Sequence, residues 1–244
     1  MFQGTVVDRC MREWLTSETQ EPGAMAAMVG QIMDREEQAA TDTGDGQVRW
    51  KGTGARNEAR ANCIECVTAL EPLLLERVVP HEYQVAYRFE APMSVPHPDG
   101  SQRQIFLVGE LDLLVREGGQ QDGPGVRVPG TGQLKIFDLK MTRDKDYWRK
   151  TMMQLPFYEV AVRLLYGSWP VESGLIQPLC EQQYMPFTFG GEERQEILQR
   201  VARMAEAIWL EKHSPKAGTA GCDRCYVKHA CPRFARVGKR VPIR

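Results

Sequence analysis

The sequence contains no long apolar run and no recognisable export signal. No stretch approaches the roughly 20 consecutive apolar residues that a transmembrane helix needs. The N-terminal segment MFQGTVVDRCMREWL lacks the basic start, the apolar stretch and the small-residue cleavage site of a signal peptide. We therefore expect a cytoplasmic protein that has no membrane partner.

Histidine is scarce, and net charge is almost absent. The four histidines show no metal-ligand spacing, and no Ser/His/Asp or Cys/His nucleophile arrangement can be assembled from the sequence. The glycine-rich stretch EGGQQDGPGVRVPGTGQ lacks the Gly-Lys-Ser/Thr ending of a phosphate-binding loop. The formal net charge of -1 does not indicate any class of partner. Local clusters of residues must therefore indicate the function.

The residues that are present predict a globular protein of the α/β or α+β class. Apolar residues recur near the helical period from Ala55 to about Val79, where Pro72 is expected to kink or shorten the helix. Further helices are predicted over 144–166 and in EERQEILQRVARMAEAIWLEKH, the latter with one apolar side formed by Ile197, Val201, Met204, Ala205 and Ile208. Runs rich in Val, Ile, Phe and Tyr predict an antiparallel meander of EYQVAYRFEAPM, QIFLVGELDLLVRE and GQLKIFDLKM, then one or two strands in LIQPLCEQQYMPFTF.

Two of these strand-like runs carry acidic residues where a buried strand is normally apolar. Residues two apart share a strand face, so Asp138 and Lys140 project side by side at the end of an apolar row. Asp112 ends a similar row, on a face that it shares with Phe106, Val108, Glu110 and Leu114. One lysine cannot neutralise two buried carboxylates, so one negative charge remains uncompensated. A divalent ion that prefers oxygen ligands, Mg²⁺ or Mn²⁺, would neutralise it. A buried ion pair that only stabilises the sheet is the alternative.

The next predicted helix adds two polar residues to this set. In YWRKTMMQLPFYEVAVRLLY, Gln154 and Tyr158 lie four apart and so share one helix face, although Pro156 between them is expected to remove a hydrogen bond and bend the helix. The ordered series of GELD at 109–112, DLK at 138–140 and Gln154-x-x-x-Tyr158 resembles the core of the PD-(D/E)XK nuclease superfamily, in its RecB-like branch.

The resemblance implies an α/β restriction-endonuclease-like core, in which helices flank a central mixed sheet. It implies a divalent-metal-dependent DNA nuclease, expected to be an exonuclease acting on single-stranded DNA. Asp112, Asp138 and the backbone carbonyl of Leu139 would hold Mg²⁺ or Mn²⁺. Lys140 would stabilise the attacking hydroxide or the developing charge on the phosphorus centre, and Gln154 and Tyr158 would position the lysine, the water or the DNA strand. The whole chain, 1–244, would be one nuclease domain with an N-terminal helical part (1–54), a catalytic core (55–190) and a C-terminal helix and cysteine region (191–244).

Seven cysteines, an odd number, predict reduced thiols or metal ligands rather than a disulfide framework. The tail GCDRCYVKHACPRF, with Cys222, Cys225 and Cys231, resembles the tail that holds a [4Fe-4S] cluster in RecB-like nucleases of the AddB type and in the CRISPR-associated adaptation nuclease. Cys10 stands where the distant fourth ligand of those proteins would be, and such a cluster would join the two ends of the chain. A Zn²⁺ site formed by the C-x-x-C pair at Cys63 and Cys66 together with Cys222 and Cys225 is the rival.

One position departs from the family pattern. RecB-like nucleases commonly carry a histidine in a Gly-Thr-x-x-His setting before the sheet, and Arg56 holds that place in GTGARNEA. A guanidinium cannot ligate a metal, so either the ion is held without this ligand or Glu58 or Glu82 substitutes for it, and Arg56 is expected to contact phosphate. The basic tail suits further DNA contacts at Arg233, Arg236, Lys239 and Arg240, and a basic terminus that is only solvated is the alternative.

Two other functional classes remain open at this point. A catalytically silent DNA-binding or scaffold protein would keep the same fold, and a zinc-containing nucleic-acid-binding module would use the cysteines without nuclease chemistry. Under the nuclease hypothesis, the expected partners are DNA and other proteins of a repair, phage replication or CRISPR adaptation complex.

Overall fold

The computed structural model describes residues 2–42, 48, 50, 52, 54–117, 132–146 and 153–210. Its first part consists of three helices: α1 (Phe2–Leu15), α2 (Ala24–Asp42) and α3 (Ala55–Arg77). Each helix buries residues three or four positions apart on one side, as helical periodicity requires, and α3 runs through Pro72 as a single helix. The three buried faces meet in one core that includes Val7, Trp14, Ile32 and Leu70.

A mixed five-stranded sheet follows the helices, as the sequence predicted. Its strands are β1 (Glu82–Pro96), β2 (Gln102–Arg116), β3 (Leu134–Leu139), β4 (Glu172–Ile176) and β5 (Tyr184–Phe187), and they lie in the sheet in that order. β2 pairs with β3 antiparallel, β3 pairs with β4 parallel, and β4 pairs with β5 antiparallel. The helix-containing connection from β3 to β4 agrees with their parallel pairing, since parallel neighbours cannot be joined by a tight hairpin.

The helix between β3 and β4 is shorter than predicted. Helix α4 spans Gln154–Tyr166, residues 141–146 form a loop and turn, and 147–152 lie outside the described residues. Pro156 therefore lies in the first turn of α4, where a backbone N–H has no partner within the helix. The expected loss of a hydrogen bond at Pro156 was wrong for this reason.

The last described helix, α5 (Gly191–Trp209), is where predicted, but its apolar side is only partly buried. Ile197 and Ala205 are buried, whereas Met204 and Ile208 are about 60% exposed (59% and 60%). The helix is attached to α4 by an ion pair in which Arg194 Nε lies 2.7 Å from an oxygen of the buried Glu159. The periodicity of the sequence assigned Met204 and Ile208 to the core, but both side chains face solvent.

By internal contacts the chain divides into two compact units, residues 1–93 with 104–199 and residues 94–103 with 200–244. The first contains the helices α1 to α4 and the strands that carry the candidate site. In the second, the β1–β2 turn is closed by the hydrogen bond from His97 N to Ser101 O (2.8 Å), and Gly100 adopts the positive φ of 86° that this turn requires. Within the described residues, no helix is long and apolar enough to cross a membrane.

Candidate active site

Asp112 and Asp138 meet on neighbouring strands at the centre of the sheet. The antiparallel register aligns Leu113 of β2 with Phe137 of β3, and one further step along the same ladder places Asp112 beside Asp138. Phe137 and Leu113 point into the helical core, so by alternation the two aspartates project from the opposite face. The predicted convergence of the two acids therefore follows from strand register alone.

Backbone and side-chain bonds fix these two carboxylates. Asp112 Oδ2 accepts a hydrogen bond of 2.7 Å from the backbone N–H of Leu139. The Lys140 ammonium lies 2.8 Å from Asp138 Oδ1 and 2.6 Å from Oδ2. Asp138 is only 2% exposed, and its Oδ2 has no hydrogen bond of acceptable geometry. Both oxygens of this buried carboxylate therefore lie against the single ammonium of Lys140.

In the candidate site, the carboxyl groups of Asp112 and Asp138 both interact with the ammonium of Lys140. Burial, and then the negative charge of Asp138, raise the pKa of Asp112 to about 6. Burial also raises the pKa of Asp138, although Lys140 opposes this. Burial disfavours the ammonium of Lys140, yet the two carboxylates together raise its pKa above the ordinary value. At neutral pH the lysine is therefore charged, and two buried carboxyl groups lie beside it.

Gln154 and Tyr158 lie on α4, and Tyr158 is close to Asp138, Asp112 and Lys140. Gln154 Nε2 donates a 2.7 Å hydrogen bond to Tyr158 Oη, which the spacing of four residues on α4 allows. Burial raises the pKa of Tyr158, and the charges of Asp138 and Asp112 raise it further. The phenol is therefore close enough to both acids to interact with their charges, and it stays protonated at neutral pH.

A second charged group beside Asp112 was not predicted. Glu110, two residues before Asp112 on β2, accepts hydrogen bonds from Arg12 Nη2 (2.7 Å) and Arg88 Nε (2.9 Å). The hydrogen bond from Arg88, with that from Arg12, lowers the pKa of Glu110. Arg12 also pairs with Asp8 on α1 (2.7 Å), and the charge of Asp8 adds to the raised pKa of Asp112. The spacing of Asp8 and Arg12, four apart on a helix, was the available signal for part of this group.

The residues of the site fit a hard divalent cation. Their donors are carboxylate oxygens, which Mg²⁺ and Mn²⁺ prefer, and the presence of two buried carboxyl groups beside a single lysine favours a cation there. Among the described residues, no three His, Cys, Asp or Glu side chains come together as a metal site. A cation held by Asp112 and Asp138 would therefore need backbone or water oxygens as further ligands, and the predicted carbonyl of Leu139 is one candidate.

The model of the PD-(D/E)XK nuclease superfamily matches residues 2–232, nearly the whole chain. The chain belongs to the PD-(D/E)XK nuclease superfamily. Among solved structures, it is similar to a Eubacterium rectale protein named "Putative exonuclease", with 12% identity, a TM-score of 0.40, and coverage of 93% of this chain and 78% of that one. A search of curated proteins finds no match.

In this PD-(D/E)XK protein, Arg56 is partly exposed and pairs with two acidic residues of α2. Its Nε lies 2.8 Å from Glu37 on α2, and Nη2 also pairs with Asp34. Arg56 therefore joins α3 to α2, and its contact with DNA stays a prediction. Glu58 is exposed in the first turn of α3, whereas Glu82 is buried at the start of β1. Their role as substitute metal ligands also stays a prediction.

The cysteine predictions divide between described and masked parts of the chain. Cys10 is fully buried near Cys63, on the packed faces of α1 and α3, and Cys66 is buried beside them. Burial raises the pKa of the Cys10, Cys63 and Cys66 thiols to about 12, 11 and 12. The other predicted ligands, Cys222, Cys225 and Cys231, lie outside the described residues, as do Arg233, Arg236, Lys239 and Arg240. Cys180 is partly exposed, and its thiol lies 3.3 Å from the carbonyl oxygen of Thr142.

Proposed function

We propose that the protein is a divalent-metal-dependent deoxyribonuclease of the RecB-like type that hydrolyses DNA phosphodiester bonds from an end. The observation that carries the proposal is the meeting of Asp112, Asp138 and Lys140 at one point of the sheet, with Lys140 bonded to Asp138. A purely structural ion pair needs one acid for one base. The additional carboxylate of Asp112 raises the cost of burial, and a bound cation would remove that cost.

The two aspartates would hold Mg²⁺ or Mn²⁺, with the Leu139 carbonyl as a further oxygen. Asp112 is held in position for this role by its hydrogen bond from Leu139 N–H, so its ligating oxygen does not need to be ordered when the ion binds. When bound, the ion would lower the pKa of a water molecule and neutralise charge on the scissile phosphate. Both oxygens of Asp138 face Lys140, so this carboxylate also determines where the ammonium lies.

Lys140 would act on the phosphate as a fixed positive charge. Its raised pKa keeps it protonated at neutral pH, so it stabilises negative charge rather than accepting a proton. Tyr158, protonated and hydrogen-bonded by Gln154, would donate a hydrogen bond to the water or to a phosphate oxygen. In this arrangement Gln154 orients the tyrosine and takes no direct part in the chemistry.

We further propose that Cys10, Cys222, Cys225 and Cys231 hold a [4Fe-4S] cluster with a structural role. The support is the spacing of the tail cysteines and the location of Cys10 in a helical core, where a ligand would tie the tail to a rigid element. A Zn²⁺ ion is the alternative cofactor. The expected partners are DNA and the other proteins of a repair, replication or CRISPR adaptation complex.

The test is anaerobic purification, followed by cleavage assays on end-labelled single-stranded and double-stranded DNA with Mg²⁺, Mn²⁺ or EDTA. The proposal expects metal-dependent release of short products from the ends, and no cleavage in EDTA. DNA binding without cleavage at any metal concentration would favour the catalytically silent alternative. A brown protein with broad absorbance near 400 nm would support the iron-sulfur cluster, since Zn²⁺ is colourless.

A further inference from the structure

Phe89 of β1 packs against the tyrosine of the candidate active site. Its ring lies edge-on to the ring of Tyr158, with the ring centroids 6.0 Å apart and the planes at 87°, and the centroid of Phe157 is 6.3 Å away. Phe157 and Tyr158 are in contact as well, with centroids 6.1 Å apart. Phe89 is only 6% exposed, so its ring cannot turn away into solvent. Because an edge-to-face contact holds two rings at a defined angle, Phe89 restricts how the ring of Tyr158 can tilt.

Gly109 of β2 is the reason that the Phe89 ring fits at this position. A β-carbon on residue 109 would lie 2.6 Å from Phe89 Cζ and 3.0 Å from Cε1, well inside the contact distance of two carbon atoms. Gly109 does not have a positive φ, so the backbone conformation does not require glycine there. The close approach of the Phe89 ring therefore accounts for the glycine that begins GELD.

A change of face in β1 brings Phe89 to this side of the sheet. Tyr83 and Val85 pack against the helical core, and strict alternation would place Phe89 on the same face. Phe89 instead contacts α4, on the face from which Asp138 projects. Ala86 lies between the two parts of the strand and has a φ of 52°, which is unusual for a residue with a β-carbon. One irregular residue shifts the alternation, as in a β-bulge, and so turns Phe89 towards the active site.

We propose that Phe89, packed against Gly109, is a positioning residue that sets the location of the Tyr158 hydroxyl in the active site. Gln154 holds the hydroxyl through its 2.7 Å hydrogen bond, and Phe89 holds the ring. Together these two contacts fix the phenol in the site. Phe89 is buried, so it acts through Tyr158 and not on DNA. The inference rests on the proposed nuclease function, because it assigns a geometric role within that site.

Gly109→Ala tests this contact without removing any ring. The added methyl group forces the Phe89 ring to move by roughly 1 Å, against the rings of Phe157 and Tyr158 with which it is packed. A misplacement of about 1 Å can reduce a rate by about 100-fold, so we expect kcat for DNA cleavage to fall by roughly 10- to 100-fold, with KM unchanged. Gly4→Ala in α1 is the control, because an added β-carbon there has nothing within 4 Å.

A second substitution should rescue this variant. Leucine at position 89 has no ring to meet the new methyl group, so Gly109→Ala combined with Phe89→Leu should cleave at the rate of Phe89→Leu alone. Independent effects would instead multiply. In a Tyr158→Phe background, which lacks the hydroxyl, neither Gly109→Ala nor Phe89→Leu should lower kcat further.

Phe189→Leu is the matched control for the loss of a buried ring. Phe189 is also 6% exposed, and it stacks on Phe187 with centroids 6.0 Å apart, outside the candidate site. Its loss should lower the melting temperature, as the loss of Phe89 should, but leave kcat unchanged. Thermal melts verify that each variant is folded, and if Gly109→Ala does not fold, Phe89→Leu in the wild-type and Tyr158→Phe backgrounds decides the question.

A measurement on the tyrosine ring does not depend on cleavage. NMR relaxation of protein with ¹³C-labelled tyrosine, in EDTA, reports how firmly each ring is held, and Tyr158→Phe identifies the resonance of Tyr158. The order parameter of the Tyr158 ring should fall in Phe89→Leu and stay unchanged in Phe189→Leu.

The outcomes separate this inference from the proposed function. Loss of kcat in Gly109→Ala, rescue by Phe89→Leu and no further loss in the Tyr158→Phe background support it. Wild-type kcat in folded Gly109→Ala, losses that multiply in the double variant, or an equal further loss in the Tyr158→Phe background overturns it. A wild-type protein that cuts no DNA contradicts the proposed function, and the ring measurement then decides: an unchanged Tyr158 order parameter in Phe89→Leu overturns the role of Phe89, and a lowered one supports it.

Discussion

Asp112 Oδ2 accepts a 2.7 Å hydrogen bond from the backbone N–H of Leu139, the residue that separates Asp138 from Lys140. This hydrogen bond joins the side chain of Asp112 on β2 to the backbone of β3, between Asp138 and Lys140. The three side chains are therefore held by the sheet itself rather than by a loop, and such an arrangement is pre-organised for a metal and a phosphate.

The raised pKa of Asp112 leads to a prediction about stability without metal. The folded state holds the Asp112 proton up to about pH 6, well above the value near 4 of an unfolded aspartate, so it binds more protons than the unfolded state between these values. Stability from this group is therefore present at low pH and is lost as the pH rises through about 6. Asp112→Asn should consequently melt a few degrees above the wild type at pH 8 in EDTA, and at nearly the same temperature at pH 4.

Thermal melts over pH 4–8 in EDTA, followed by addition of Mn²⁺, check this prediction. Mn²⁺ should raise the melting temperature of the wild type but not of Asp112→Asn. Asp99→Asn is the control of opposite sign, because hydrogen bonds from Ser101, with a contribution from His97, hold the pKa of Asp99 below its usual range. A difference in melting temperature between wild type and Asp112→Asn that did not change with pH would contradict the explanation.

The ion pair between α4 and α5 should contribute strongly to stability. Glu159 is 1% exposed, accepts a 2.6 Å hydrogen bond from Ser173 and pairs with Arg194. Arg194→Ala removes the only positive partner described for this buried carboxylate, so we expect a loss of about 3–5 kcal/mol of unfolding free energy. Urea denaturation measures it, with Arg143→Ala as the control. Arg143 and Glu65 form an exposed pair (58% and 52%), so its loss should change stability far less.

Which cysteines bind a metal can be tested by substitution. If Cys10 ligates the cluster with Cys222, Cys225 and Cys231, Cys10→Ser should bleach the colour of anaerobically purified protein and lower its melting temperature. The reason is that losing one thiolate weakens both the cluster and the link that it makes. Cys63→Ser and Cys66→Ser should keep the absorbance near 400 nm, and Cys180→Ser is the control. Metal loss in the Cys63 and Cys66 variants, with metal retained in Cys10→Ser, would favour the zinc alternative.

The sequence allowed most of the candidate site to be predicted because its geometry is local. Asp138 near the end of β3 and Lys140 just after it lie two apart in an extended segment, and Gln154 and Tyr158 lie four apart on a helix, so each pair follows from one period. The location of Asp112 beside Asp138 follows from the antiparallel pairing of β2 with β3. The strong strand propensity of both segments indicated this pairing.

Contacts between distant parts of the chain could not be predicted in this way. Arg12 and Glu110 are separated by 98 residues, and only the packing of α1 near β2 brings them together. The exposure of Phe106 and Val108 was also missed, since alternation shows which residues share a face but not which part of a strand another element covers. The same reason explains the exposed Met204 and Ile208 on α5.

The most direct test of the account is metal-dependent cleavage by variants of the charged pair. Asp138→Asn and Lys140→Met keep the size of each side chain but remove, respectively, a metal ligand and the fixed positive charge. Each should reduce the rate of DNA cleavage at saturating Mn²⁺ by at least about 100-fold, while circular dichroism shows a folded protein. Lys135→Met is the matched control, because Lys135 lies on the same strand but pairs with Glu117 and Glu172. Wild-type cleavage in folded Asp138→Asn or Lys140→Met would contradict the assignment of the active site.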